Sequence, residues 1–268
     1  MKKLMATLLL CSALFSSLLL TSCDETSDAA NYLSQITEST ASGVIEMMIF
    51  YNRDLTTACT KVYADDKYYS QTLYRYEKNG KRCATEESNI DGYSKITEWT
   101  NDKDGKPQSG SYTMVDEDGK TTKATLTYTY DDKGRETFYK EVNDSSEVLF
   151  SRTTEYLDEY GSYKITVKRA AEDSYTMEFY YNEAGEQTKI AVNSNFNFAK
   201  HSYDKRGRRV RTDWTDTSGN SAGYETFTYD KYGNIYRDSR FNSKGQRTSD
   251  TYNIYSESIR YYEENNAA

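Results

Sequence analysis

The sequence predicts an all-β chain: an antiparallel meander of short repeat hairpins, curled into a half-pipe, a barrel-like shell or a two-layer sheet. Three observations predict it. An aromatic residue, then Asp or Asn, two more residues and Gly recur along the chain as a turn signature. The segments between turns alternate apolar and polar residues with period two, the period of a strand. Tyrosine, present 27 times in 268 residues, supplies the bulk that Ile, Leu and Val do not. Each one buries on the order of 150–250 Å², which lifts the chain out of the disordered class its aliphatic content alone would indicate. The balance of 34 Lys+Arg against 42 Asp+Glu, formal net charge −8, excludes a nucleic-acid binder, because phosphate neutralisation needs clustered cations.

In chain order, residues 1–22 read as an export signal, with Lys2 and Lys3 before an apolar stretch too short and Ser-rich to span a membrane. The stretch ends in Leu20-Thr21-Ser22-Cys23, which resembles the lipobox of bacterial lipoproteins. The resemblance implies a lipidated Cys23 and a membrane partner reached through that lipid. It implies a place in the bacterial cell envelope, at the outer membrane or cell surface, with inner-membrane retention as the alternative given Asp24. Residues 23–42 then form a flexible acidic tether, 43–262 the repeat domain and 263–268 a disordered tail. Cys59 and Cys83 are the disulfide candidate of an exported chain. The alternative is two separate buried thiols.

The repeat begins near residue 70. Tyr130-Asp131-Asp132-Lys133-Gly134-Arg135, Tyr203-Asp204-Lys205-Arg206-Gly207-Arg208 and Tyr229-Asp230-Lys231-Tyr232-Gly233-Asn234 are its clearest copies. The Asp side chain caps the turn and Gly supplies the positive φ of a type I turn with a bulge. With weaker turns at 89–92, 143–146, 170–173 and 193–195 included, a turn falls roughly every 11–15 residues, leaving one strand of roughly seven to nine residues between turns. Ala124, Leu126, Tyr128 and Tyr130 alternate with Thr125, Thr127 and Thr129. Tyr163, Ile165 and Val167, then Tyr175, Met177, Phe179 and Tyr181, then Val210, Thr212 and Trp214 form further stripes. One face is aromatic and the other carries Thr, Lys, Glu and Ser, a composition that argues against an outer-membrane barrel.

These Tyr-Asp and Gly-Arg pairs resemble the YD-repeat (RHS-like) family of bacterial surface and secreted proteins. The resemblance implies a β-repeat that winds into a sheet or shell. Glu136, Arg209 and Ile235 stand where that family commonly has Leu, and the chain is too short for its cargo-enclosing shells.

The chemistry-bearing motifs are weak. Gly219-Asn220-Ser221-Ala222-Gly223 has the spacing of a nucleophile elbow, but it lies in a turn and the single His, His201, precedes the Ser. Asp102-Lys103-Asp104-Gly105 and Asp116-Glu117-Asp118-Gly119 lack the flanking ligands of an EF-hand loop. One His with two Cys builds no N/S metal site, and no cofactor fingerprint is present. Trp99, Tyr139, Tyr180 and Trp214 are the candidate ligand-binding residues, the two tyrosines placed on the polar face. The expected function is a non-catalytic binding or scaffolding module for a glycan or an envelope protein. A hydrolase using two carboxylates and a purely structural envelope protein are the alternatives.

Overall fold

The computed structural model describes residues 32–170 and 172–256. They form eighteen strands in one antiparallel sheet. The first nine are β1 (Tyr32–Thr40), β2 (Gly43–Tyr51), β3 (Thr57–Ala64), β4 (Lys67–Tyr76), β5 (Arg82–Asn89), β6 (Ser94–Asn101), β7 (Pro107–Val115), β8 (Thr121–Tyr130) and β9 (Glu136–Asn143). The rest are β10 (Val148–Tyr156), β11 (Tyr163–Arg169), β12 (Glu172–Tyr181), β13 (Gln187–Val192), β14 (Asn195–Tyr203), β15 (Arg209–Asp216), β16 (Ser221–Tyr229), β17 (Ile235–Phe241) and β18 (Arg247–Ser256). Every strand pairs with its sequence neighbours, and β1 pairs with both β2 and β18. The sheet is therefore a closed barrel without edges. Eighteen strands about 4.8 Å apart and tilted by about 40° describe a ring of roughly 18 Å radius, wide enough for a lumen.

The strands end where the turn chemistry stops them. At the β8–β9 turn the Asp131 N–H donates to the Arg135 carbonyl at 2.9 Å, and the Gly134 N–H donates to the Asp131 carbonyl at 2.8 Å. Asp131 Oδ1 accepts the N–H groups of Lys133 and Arg135. Gly134 has φ +71°, which only glycine adopts freely. The same bonds recur at Asp102, Asp204 and Asp230.

All these turns lie at one rim, where even-numbered strands end. Tyr51, Tyr76, Tyr130, Tyr156, Tyr181, Tyr203 and Tyr229 close seven of those strands. Five of them reach back with the hydroxyl to a carbonyl at the start of the preceding strand. Tyr51 donates to Leu33 O (2.6 Å), Tyr76 to Thr57 O (2.8 Å), Tyr130 to Pro107 O (2.7 Å), Tyr156 to Glu136 O (3.2 Å) and Tyr229 to Arg209 O (2.7 Å). At three of these turns the cation after the glycine covers the tyrosine of the following hairpin. Lys106 lies 5.8 Å from the Tyr130 ring, Arg135 3.7 Å from Tyr156 and Arg208 4.6 Å from Tyr229. These contacts form a belt of tyrosines and cations along much of this rim, one unit gripping the next where they occur.

Cross-strand register divides the side chains into two faces. Both hydrogen bonds that skip a strand within the wall, Trp99 to Tyr128 and Tyr112 to Glu141, lie on one face. Side chains bridge an intervening strand most readily where the sheet is concave, so this face lines the lumen. It carries most of the predicted stripes, among them Ala124, Leu126 and Tyr128, Tyr163 to Val167, and Thr212 with Trp214. The opposite face of β7 and β8 exposes Ser109, Ser111, Thr113, Thr121, Thr125, Thr127 and Thr129.

Four expectations are corrected. The YD-repeat, RHS-like shell is replaced by a closed barrel, because the first and last strands meet. The tether over 23–42 gives way at Tyr32 to β1, which that closure requires. Cys59 and Cys83 are free thiols, since they lie on β3 and β5 with β4 between them, two strand spacings of about 4.8 Å and too far for a disulfide. The picture of a repeat module held at a membrane only through its lipid is corrected as well: the described residues close into a barrel, an architecture able to span a membrane by its own wall. Cys23 and the tail 263–268 lie outside the described residues. The polar outward face also no longer decides against an outer-membrane barrel. Register adds Phe50, Leu73, Phe138, Phe198, Tyr224 and Phe241 to that face.

Candidate functional site

The inner wall between β4 and β10 carries the most developed site, and small residues create it. In one cross-strand row Trp99, Gly110 and Leu126 stand side by side on β6, β7 and β8. Gly110 has no side chain, so the Trp99 indole reaches over β7 and its Nε1 donates to Tyr128 Oη at 2.8 Å. A Cβ at Gly110 would stand 2.5 Å from the Glu98 carbonyl oxygen and 3.0 Å from the indole. In the next row Tyr112 faces Ala124. That small side chain lets Tyr112 Oη donate across β8 to Glu141 Oε2 at 3.1 Å, while Tyr139 Oη donates to Oε1 at 2.7 Å.

The rings continue around the wall. Tyr128 and Tyr139 have centroids 5.0 Å apart, and Tyr139 and Phe150 5.8 Å apart. Leu126 and Tyr112 are buried beneath this shelf. Beside it opens a cleft of about 330 Å³ lined by Trp99, Tyr74, Tyr128 and Tyr139, with the hydroxyls of Thr72, Thr85 and Thr97. Its charged groups are Arg82, Lys95 and Glu87. The Arg82 guanidinium lies 5.7 Å from the rings of both Tyr74 and Trp99. The Lys95 ammonium sits 4.2 Å from the Tyr112 ring. Ring faces beside hydroxyl and cationic donors suit a ring-shaped, polyhydroxylated ligand, which presents an apolar face and polar edges.

Of the sequence-predicted residues, Trp99 and Tyr139 meet at this cleft. Tyr139 faces the lumen, not the polar side expected for it, because it pairs with Tyr128 in register. Tyr180 is on the outer face, its hydroxyl donating to Glu178 Oε2 at 2.6 Å with the Lys189 ammonium 3.6 Å from its ring. Trp214 is on the inner wall of β15, flanked by Ala199 and Gly223, far around the ring from the cleft. Sequence reasoning did not single out Gly110, Arg82, Lys95 or Glu141. The one available signal was Gly110, a side chain missing from an alternating strand.

The remaining motifs are absorbed by the fold. Asp102 and Asp116 spend their Oδ1 atoms on their own turns' N–H groups. Those bonds hold the Asp102 carboxyl below the usual range, the Lys106 N–H contributing most. No cluster of three metal-ligating side chains occurs among the described residues. His201 Nε2 donates to the Gln187 carbonyl at 2.7 Å, which leaves Nδ1 to accept from the Thr212 hydroxyl at 3.0 Å. Ser221 Oγ accepts the Gly223 N–H, so the elbow-like motif is part of β16 and its turn.

No protein-family profile matches the chain, and no curated protein does so either. Among solved structures, a porin-like protein from Bacteroides uniformis ATCC 8492 is similar at a TM-score of 0.48 and 11% identity, over 84% of this chain and 98% of that one. A porin-like protein from Bacteroides vulgatus ATCC 8482 is similar at 0.46 and 14%, over 84% and 99%.

Proposed function

We propose that this chain is a non-catalytic β-barrel of the outer membrane whose lumen receives a sugar-class solute on the aromatic shelf of β6 to β10. The observation that carries the reading is the strand-skipping shelf itself. Trp99, Tyr128 and Tyr139 hold one another through ring contacts and the indole–phenol bond, and they turn toward the lumen. Such a surface is rigid before the ligand arrives, so little entropy is lost on contact. Closure of the sheet supports the placement, because only a barrel without edges satisfies its backbone in lipid.

Titration of the purified full chain with neutral and acidic oligosaccharides, followed by tryptophan fluorescence, tests the reading. Binding is expected to quench Trp99 and to weaken roughly tenfold in Tyr139→Ala, the loss of one stacked ring contact. Absence of binding by every saccharide class would refute it. A second reading is favoured by the Ser- and Thr-covered outer side of β7 and β8: the same barrel standing in water with the same lumen site. Flotation of the membrane fraction separates the two, since an integral barrel rises with the vesicles after urea extraction.

A further inference from the structure

Arg82 differs from most arginines of this barrel. Arg75, Arg135, Arg152, Arg208, Arg211, Arg237 and Arg240 each face a carboxylate within ion-pair distance. Arg82 has no such partner among the described residues. Its guanidinium carbon lies 5.7 Å from the ring centroids of both Tyr74 and Trp99, and it borders the cleft. Ring stacking fixes the plane of a guanidinium while leaving its edge N–H groups free to donate. A second cation, Lys95, lines the same cleft. Its cross-strand neighbour Glu87 is the cleft's single carboxylate, so the cleft carries a net positive charge within a chain of net charge −8.

We infer that the cleft selects an acidic saccharide, one bearing a carboxylate on its sugar ring. This rests on the proposed sugar-binding reading and adds the charge of the ligand to it. The sugar's apolar face lies on Trp99, and its carboxylate receives two parallel N–H bonds from Arg82, the geometry that guanidinium and carboxylate share. The threonine hydroxyls serve the ring hydroxyls.

The test uses the full chain and two probes with the same sugar rings: a short oligogalacturonate and its fully methyl-esterified form, which removes the charge. Calorimetry is expected to show the acid binding roughly ten- to a hundredfold tighter than the ester, the range of a charge-assisted bidentate pair. In Arg82→Gln the acid is expected to lose that margin, so that acid and ester bind alike. A thermal melt like that of the unaltered chain shows that the variant is folded. Equal binding of acid and ester by the unaltered chain would overturn the inference and leave the sugar-binding reading standing. A preference for acid that survives in Arg82→Gln would overturn the role of Arg82. Failure of both probes would overturn the inference, while the sugar-binding reading is decided by the wider saccharide titration.

Discussion

The tyrosine belt makes a quantitative claim about stability. Five rim hydroxyls donate to strand-start carbonyls at 2.6 to 3.2 Å, and Tyr→Phe removes the hydroxyl while keeping the ring. A neutral hydrogen bond of this kind contributes about 0.5–1.5 kcal/mol net. Each single variant should therefore lose about 1 kcal/mol. For a domain of this size that corresponds to a fall in Tm of about 2–4 °C. The five sites are spread around the ring and share no partner, so their effects should add. Substituting Tyr51, Tyr76, Tyr130, Tyr156 and Tyr229 together should then cost about 5 kcal/mol, a large share of a typical folding free energy. Thermal melts followed by far-UV circular dichroism read this directly. Tyr236→Phe is the control: Tyr236 makes a ring contact with Tyr252 and its hydroxyl has no partner among the described residues. Single variants that melt with the control, or a fivefold variant that loses no more than one of its members, would show that the belt does not hold the rim.

Further outcomes follow from the same geometry. The carboxyls of Asp102, Asp131 and Asp204 are held below the usual range, first of all by the N–H groups of Lys106, Arg135 and Arg208. A lowered folded pKa stabilises above the unfolded value of about 3.9, and that stabilisation is lost as pH falls through the folded value. Acid melts should show it, with a shallower pH slope in an Asp131→Asn, Asp204→Asn double variant; an unchanged slope would contradict the assignment. Gly110→Val places side-chain atoms where the Trp99 indole lies, so it should shift tryptophan emission and cost about 1–3 kcal/mol. An unaltered emission spectrum would mean the indole does not cross β7. Maleimide should label the half-buried Cys83 well before the buried Cys59, and a non-reducing peptide map should show no Cys59–Cys83 link. Asp250→Ala should lower stability by about 3 kcal/mol, because it strips Arg237 and Arg247 of their shared carboxylate. A smaller loss than Arg75→Ala at the exposed Arg75–Glu86 pair would count against that.

The sequence disclosed the units of this fold better than their closure. Tyr130-Asp131 with Gly134 announces a turn because its side-chain and glycine requirements are local, and each hairpin forms as that chemistry demands. Closure depends on β1 meeting β18, and nothing near Ile36 or Asn253 signals that contact. β1 reads as a tether because Ser34, Gln35, Thr37, Glu38, Ser39 and Thr40 surround a single Ile. Its place comes from pairing on both sides, a non-local fact. Tyr139 was legible as a candidate and misplaced by face, because the alternation of β9, Glu136 to Asn143, puts polar and aromatic residues on both sides. The cleft escaped notice for a related reason. Trp99, Gly110 and Tyr128 become one site only through the register of β6, β7 and β8, which local sequence does not encode.

The abundance of tyrosine is explained by what a barrel wall of this width lacks. In a sandwich a second sheet covers the apolar face. Here the strands meet only their ring neighbours, so each inner side chain must be covered by others lying along the same wall. A short aliphatic residue cannot reach across a strand, whereas the long ring of Tyr112 or Trp99 can where Gly110 or Ala124 leaves room. Such a ring ends near polar neighbours or lumen water, so the atom at its tip must hydrogen-bond. Phenylalanine would bury as well and leave nothing at the tip; tyrosine does both. The same property sets the belt, where the hydroxyl finds a carbonyl, and the shelf, where it finds Glu141 or the Trp99 indole. Covering the inner face of a wide barrel with tyrosine therefore produces a lumen lined by ring faces and hydroxyls. The requirement that makes the wall stable is also the one that makes it suited to sugars.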